Sequence, residues 1–248
     1  MGAGRAGDGR LTMGLLERTA AWLADPLHWA GPNGIPTRLG EHVAISAASL
    51  VIALLIALPV GLWIGHTGRF AKMAVNLANL WRALPSLAVI AIVLPITSQL
   101  DPQAGFKIYP TVVAMIALGV PPILVNCHAA IAGVDRELVE AARGQGMTGG
   151  QLLSRVELPL ALPTITAGVS SAAVQIVATA TLGAVFGFGG LGRYLVDGIA
   201  QADAGQTIGG ALLVAALVVV SGAVLTVVGR ALSPRGTGRQ GSVAEAAA

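Results

Sequence analysis

Apolar residues in this chain come in long unbroken runs, and polar residues gather in the short stretches between them. The clearest run is Leu50-Val51-Ile52-Ala53-Leu54-Leu55-Ile56-Ala57-Leu58, set in an uncharged segment from about Val43 to Ile64. A helix crosses a bilayer with roughly 20 apolar residues, so this segment reads as a span. Comparable runs predict spans at about Ile108 to Ala130, Leu160 to Phe186 and Ile208 to Leu232. Between Phe70 and Leu100 the pattern is interrupted by Trp81-Arg82-Ala83-Leu84-Pro85-Ser86. Pro85 lacks a backbone donor and disfavours helix at the residue before it. One span from about Leu84 to Thr97 is predicted there, with a helical lead-in from Ala71 and a softening at Pro95. Pro121-Pro122 predicts a kink in the third span.

The flanks differ. Leu11 to Trp29 is weakly amphipathic, too short and too charged to span, and reads as an interfacial helix. Gly31-Pro32-Asn33-Gly34-Ile35-Pro36 breaks it. The expected organisation is a tail and interfacial helix over residues 1–42, a membrane domain over 43–232 with a polar loop at 134–159, and a disordered tail over 233–248. The fold class is all-α: a polytopic membrane protein with about five transmembrane helices plus the N-terminal interfacial helix.

Composition agrees with lipid as the main solvent. Of 248 residues 54% are hydrophobic and 11% charged, against about a quarter charged in soluble domains. Small residues carry much of the apolar load, which suits close helix packing in membranes. The single cysteine, Cys127, excludes an internal disulfide, and His28, His42, His66 and His128 are scattered without ligand spacing, so no metal site is expected. A net charge of +3, spread thinly, argues against nucleic acid as a partner. No signal-peptide core precedes Leu15. Basic residues near span ends fix orientation. Arg69, Lys72, Arg136, Arg143, Arg155 and Arg230 fall on one side, which is then cytoplasmic, together with the C-terminus. The N-terminus is then outside.

The polar island from Asp135 to Glu157 therefore lies in the cytoplasm. Val134 to Arg143 reads as a short helix with Asp135 at its start and Arg143 at its end, as the helix dipole favours. Leu138, Ala141 and Ala142 are spaced to share a small, modestly apolar face. Gly144 and Gly146 are expected to end this helix, Thr148 to cap a second one from about Gly149 to Val156, and Pro159 to terminate that. The shape is that of a docking surface.

The spacing carries more. Glu140-Ala141-Ala142, three residues, Gly146, nine residues, then Val156-x-Leu158-Pro159 is similar to the cytoplasmic "EAA" loop of ABC-importer permeases, with Val156 in place of Ile. Within that superfamily the chain resembles the permeases for glycine betaine, choline, carnitine and related osmoprotectants. Arg82-Ala83-Leu84-Pro85-Ser86-Leu87-Ala88 is similar to their "(Q/R)-T-(I/L)-P-S-L-A" segment, with Ala83 for Thr. Thr181 to Gly192 resembles their "I-G-A-G-G-L-G" segment, with Phe186 and Phe188 departing from it. The resemblance covers roughly Val43 to Leu232. It implies a MetI-like permease core and a loop, Glu140, Ala141, Ala142, Gly146, Val156, Leu158 and Pro159, that docks on a separate ATPase. It implies a second permease subunit, an extracytoplasmic binding protein and a bacterial inner-membrane setting. It also implies that ATP and Mg are used by the partner, with no cofactor bound by this chain and no catalytic residue in it.

Other features are weaker. Gly187-x-Gly189-x-x-Gly192 meets the dinucleotide fingerprint formally, but follows a membrane span and lies in no βαβ unit. Its glycines read instead as a tight extracytoplasmic re-entry. No P-loop sequence is present. Arg82 beside Trp81 has two readings, a snorkelling interfacial residue or part of a gate with Pro85 and Ser86. Ser171, Gln175 and Thr179 lie at i, i+4, i+8 on the fourth span and line a path or bond to other helices. Gly61-x-x-x-Gly65 and Gly183-x-x-x-Gly187 read as close-packing motifs. A methionine or other amino-acid permease is the neighbouring alternative for cargo. A secondary transporter would call for intramembrane carboxylates, and none lies in a predicted span. A membrane-embedded enzyme would call for a converging polar cluster, which the spacing does not supply.

Overall fold

The computed structural model describes residues 6–232, with side chains from Gly14 onward except that of Arg82. The expected tail over 233–248 lies outside the described residues, and so does the Arg82 side chain. Among the described residues the chain is helical throughout, without strands. In order, the helices are α1 (Ala6–Ala24), α2 (Ile35–Thr67), α3 (Ala71–Arg82), α4 (Ser86–Leu100), α5 (Ala104–Lys107), α6 (Tyr109–Ala132), α7 (Arg136–Gly144), α8 (Gly149–Leu152), α9 (Leu158–Ala180), α10 (Gly192–Ala200) and α11 (Ala204–Leu232). Four helical runs, Ile35–Thr67, Ala104–Ala132, Gly149–Phe186 and Ala204–Leu232, are long and apolar enough to cross a membrane. A fifth results if the bent pair α3 and α4 counts as one span. The expected fold class therefore stands.

The expected helix over Leu11 to Trp29 is divided, because α1 ends at Ala24 and the extended Asp25 caps a separate 3-10 turn over Pro26–Trp29; beyond that, two element boundaries differ from expectation. Helix α2 begins at Ile35, eight positions before Val43. Pro36 falls in its first turn, where a missing N–H costs no helical bond. The polar residues of these early turns find local partners: Thr37 Oγ1 donates to the Gly31 carbonyl at 3.0 Å, and Arg38 donates to Glu41 at 3.0 Å. The second difference is at Pro159, taken up below. The break at Leu84–Pro85 is as expected, with Pro85 extended (φ −62, ψ 129) just before α4.

The chain forms two compact units. The first comprises Met1–Leu50, Pro85–Ile116 and Gln175–Val220. Its core gathers Trp22, Ile35, Leu191, Tyr194 and Val214. Trp22 stacks on His28 with centroids 4.6 Å apart and meets Tyr194 edge-on at 5.1 Å. Helix α1 thus has packing partners in α10 and α11 that its weak amphipathicity does not reveal. The Tyr194 hydroxyl donates to the Asn33 carbonyl at 2.6 Å. Burial holds this phenol above its ordinary pKa; Arg38 opposes that shift and Glu41 adds to it, so it remains a donor.

In the same unit the glycine-rich turn is built by backbone conformation. Gly187 (φ 85) caps the 3-10 turn Thr181–Phe186, and Gly190 (φ 71) directs its N–H to Glu41 Oε2 at 2.7 Å. Gly183 packs closely on Thr111, whereas Gly187 meets only the Lys107 side chain. Gly183-x-x-x-Gly187 is therefore not one packing face, because its second glycine serves a left-handed turn.

The second unit comprises Val51–Leu84, Ala117–Val174 and Ser221–Ala248. Its core gathers Cys127, Ile131, Ala161 and Ile165, with Leu58, Leu62, Ala130, Leu153 and Leu158 packed against it. Here α2 and α6 come close because Gly61 and Gly65 have no side chains. A Cβ on Gly61 would lie 2.8 Å from Cys127 Cβ, and one on Gly65 would lie 2.6 Å from Ile131 Cβ. Gly61-x-x-x-Gly65 is thus a close-packing motif, as expected.

Candidate functional site

The polar island lies wholly in the second unit, and each of its local structures has an identifiable cause. Asp135 caps α7, its carboxylate accepting from the Glu137 N–H at 2.9 Å. Glu137 in the first turn and Arg143 in the last complement the helix dipole. At the far end Gly146 adopts φ 81. Its N–H donates to the Arg143 carbonyl at 2.9 Å, and the Met147 N–H donates to the Ala142 carbonyl at 3.2 Å. That pair of bonds is the Schellman arrangement, which needs a left-handed residue where Gly146 stands. Gly144, by contrast, is simply the last residue of the helix.

A capping box begins the second helix. The Thr148 hydroxyl accepts from the Gln151 N–H at 3.4 Å, and Gln151 Oε1 accepts from the Thr148 N–H at 2.9 Å. The helix does not end at Pro159. Leu153–Glu157 is a π-turn, in which the Leu158 N–H reaches back to the Leu153 carbonyl, and α9 follows at once. Proline in a helix removes a bond and drives its ring into the carbonyl four residues earlier. The wider turn just before Pro159 gives that ring room, so the run continues from Gly149 as one candidate span.

Exposure sorts the motif residues. Glu140, Ala141 and Gly146 are exposed, Leu138 is 49% exposed, and Val156, Leu158 and Pro159 are half-buried. Ala142 is buried, so it faces inward and does not share the open face of Leu138 and Ala141. The double alanine therefore serves two purposes. Ala141 keeps the outer surface low, and Ala142 lets α7 sit close to the unit beneath it.

The sequence pattern passes over two residues here. Glu157, between the half-buried Val156 and Leu158, is only 4% exposed. Its Oε2 lies 2.6 Å from Nδ1 of His66 in the last turn of α2. A buried carboxylate needs a partner, and the position of Glu157 beside a membrane span is the one signal that could have prompted a search for it. His66, 91 positions away, carries no local signal at all.

The candidate path residues lie at the break before α4 and along α9. Pro85 is exposed and Ser86 half-buried at the start of α4. Along α9, Ser171 is exposed, Gln175 half-buried and Thr179 buried. Inter-helix hydrogen bonds in this stretch involve other residues: the Ser170 hydroxyl donates to the Gly222 carbonyl at 3.3 Å, and His42 Nε2 lies 2.9 Å from the Val177 carbonyl. Among the described residues there is no group of His, Cys, Asp and Glu that could hold a metal ion.

A capped helix, a left-handed glycine and a capped second helix running into a span occur at the spacing quoted above. Residues 57–237 match the family described as "Binding-protein-dependent transport system inner membrane component". The chain belongs to that family. It is a transport permease component, multi-pass in a bacterial inner membrane. It is 34% identical over 199 residues to the glycine betaine/carnitine/choline transport system permease protein OpuCB of Bacillus subtilis (strain 168), covering 80% of this chain and 88% of that one. It is 35% identical over 199 residues to the choline transport system permease protein OpuBB of the same organism, with the same coverage. It is 33% identical over 214 residues to the osmoprotectant import permease protein OsmW of Salmonella typhimurium, covering 86% of this chain and 99% of that one. The resemblance to osmoprotectant permeases is therefore borne out. In fold the chain is similar to an inward-facing structure of the MetNI methionine ABC transporter, with a TM-score of 0.73 at 22% identity, covering 85% of this chain and all of that one.

Proposed function

We propose that the chain is one of two identical permease subunits of an ATP-driven importer of small quaternary-ammonium osmoprotectants, such as glycine betaine, choline, carnitine or proline betaine. The observation that carries the mechanism is the exposed face of α7, with Glu140, Ala141 and Leu138 outward and its end set by the left-handed Gly146. A short, rigid, low-relief helix of this kind fits a groove on another protein. The partner is an ABC ATPase, which uses ATP and Mg, since this chain has no P-loop. Glu140, Ala141, Ala142, Gly146, Val156, Leu158 and Pro159 form the docking loop.

The names of the relatives support the cargo class, and an extracytoplasmic binding protein delivers it. The N-terminus is outside and the loop and C-terminus are cytoplasmic. The long apolar faces left open on α11, including Val219, Val224 and Val227, suit lipid and a second copy. Closure of the ATPase pair displaces the loop, and the spans pass between inward- and outward-facing states as rigid elements. Arg82, Pro85 and Ser86 at the break, with Ser171, Gln175 and Thr179 along α9, are candidate gate and path residues.

Replacing Gly146 with tryptophan tests the docking reading. Co-purification of the ATPase and glycine betaine uptake should both fall; unchanged association and uptake would overturn it. Uptake by proteoliposomes across quaternary amines and amino acids tests the cargo.

A further inference from the structure

The bond between His66 and Glu157 uses the unspecified position of the motif and has no part in the docking face. Its geometry is unusually constrained. The Glu157 carboxyl group is withdrawn from water, and its Oε2 lies 2.6 Å from His66 Nδ1, a close hydrogen-bond contact. The other ring nitrogen faces the start of α8: a Cβ on Gly149 would lie 3.3 Å from His66 Nε2. One imidazole ring is therefore bonded to the π-turn end of the segment Gly149–Glu157 and lies near its capped start. Among the described residues the two Arg–carboxylate pairs, Arg38–Glu41 and Arg193–Asp197, are local, whereas the His66–Glu157 bond ties the loop to another helix. The other side chains that bury the segment and its junction with α9, Leu152, Leu153 and Leu158, are apolar, and their contacts lack the directionality of a hydrogen bond.

We propose that His66 is a positioning residue of the transport cycle: it fastens the docking loop to the end of α2, so that displacement of the loop drives α2 together with α9. This rests on the docking reading above. Without the bond, the loop still docks and the ATPase still turns over, but α9 moves while α2 lags. The signature is lost coupling rather than lost assembly.

The experiment uses the whole importer in liposomes, with the binding protein and glycine betaine, and measures uptake per ATP hydrolysed. In His66→Ala and Glu157→Ala this ratio should fall about tenfold while the ATPase co-purifies as in wild type. The double variant should be no lower than either single one, since the two side chains act as a unit. His66→Lys, whose ammonium still reaches the carboxylate, should recover most of the ratio. Gly149→Ala, which only presses on the ring, should lower it less, and it carries the comparison if His66→Ala does not assemble. A wild-type ratio in His66→Ala, or in Gly149→Ala if it stands in, overturns the proposal. So does a double variant equal to the product of the singles, or no recovery with lysine. If Gly146→Trp abolishes docking while His66→Ala keeps the wild-type ratio, only this inference fails. If Gly146→Trp changes nothing, the docking reading fails first and takes the inference with it.

Discussion

Glu41 Oε2 accepts from the backbone N–H of Gly190 at 2.7 Å, joining α2 to the glycine-rich turn 149 positions later. The same oxygen accepts from Arg38 at 3.0 Å, which holds the carboxylate in place. Gly190 is buried, so removing the acceptor leaves its N–H without a partner. Glu41→Ala should therefore destabilise this turn by about 1 kcal/mol, near the low end for an abandoned buried donor because Glu41 is partly exposed. Glu41→Gln keeps an acceptor and should cost less. Thermal unfolding in nanodiscs checks the total, and faster amide exchange confined to Gly187–Gly192 checks the place. Exchange unchanged in Glu41→Ala would contradict this.

Gly146 tests backbone conformation apart from packing. A Cβ there meets nothing within 4 Å, so any cost of substitution comes from φ alone. Gly146→Ala should cost about 1–2 kcal/mol in local stability. Gly146→Asn, which tolerates left-handed backbone better, should cost less. Limited proteolysis between Arg143 and Thr148 would report the order Gly, Asn, Ala; equal rates for all three would contradict it.

Thr148 closes the capping box that starts α8. Thr148→Ala should cost about 1 kcal/mol. Its effect should appear as faster exchange at Gly150 and Gln151, while α7 is unchanged. Thr148→Ser should behave as wild type.

Gly61 and Gly65 test the closeness of α2 and α6. Gly61→Val places its Cβ on Cys127, and overpacking of this kind costs about 1–3 kcal/mol. Truncating the neighbour in Gly61→Ala with Cys127→Gly, which removes the Cβ 2.8 Å away, should restore part of the loss measured for Gly61→Ala alone. If the two changes simply add in thermal unfolding, the helices are not in contact at that level.

These outcomes bear on how much a reader of the sequence can see. The spans were legible because each is a run of apolar residues bounded by charge or glycine. The two short helices of the polar loop were legible because their caps are local: Asp135, Gly146 and Thr148 each act within a few residues of themselves. What stayed hidden depends on distance or on compensation. Ala141 and Ala142 read alike, and only packing separates the exposed one from the buried one. The early start of α2 at Ile35 was hidden because the partners of Arg38 and Glu41, one another and the distant Gly190 N–H, are not visible in the apolar run from Val43. Pro159 read as a stop because the relief it receives, a wider turn over Leu153–Glu157, has no sequence signature of its own. His66 and Glu157 are too far apart in sequence for any local pattern to join them.

The π-turn has a consequence of angle. Each residue of a helix turns the chain by about 100°. Widening the turn at Leu153–Glu157 takes up residues without the usual rotation, so it sets the bearing of Thr148 and α8 relative to the long helix below. The interval from Thr148 to Pro159 is thus a compass setting counted in residues. Deleting Arg155, which is exposed and outside the caps, would leave the capping box and Glu157 chemically intact, yet swing the loop by nearly a third of a turn.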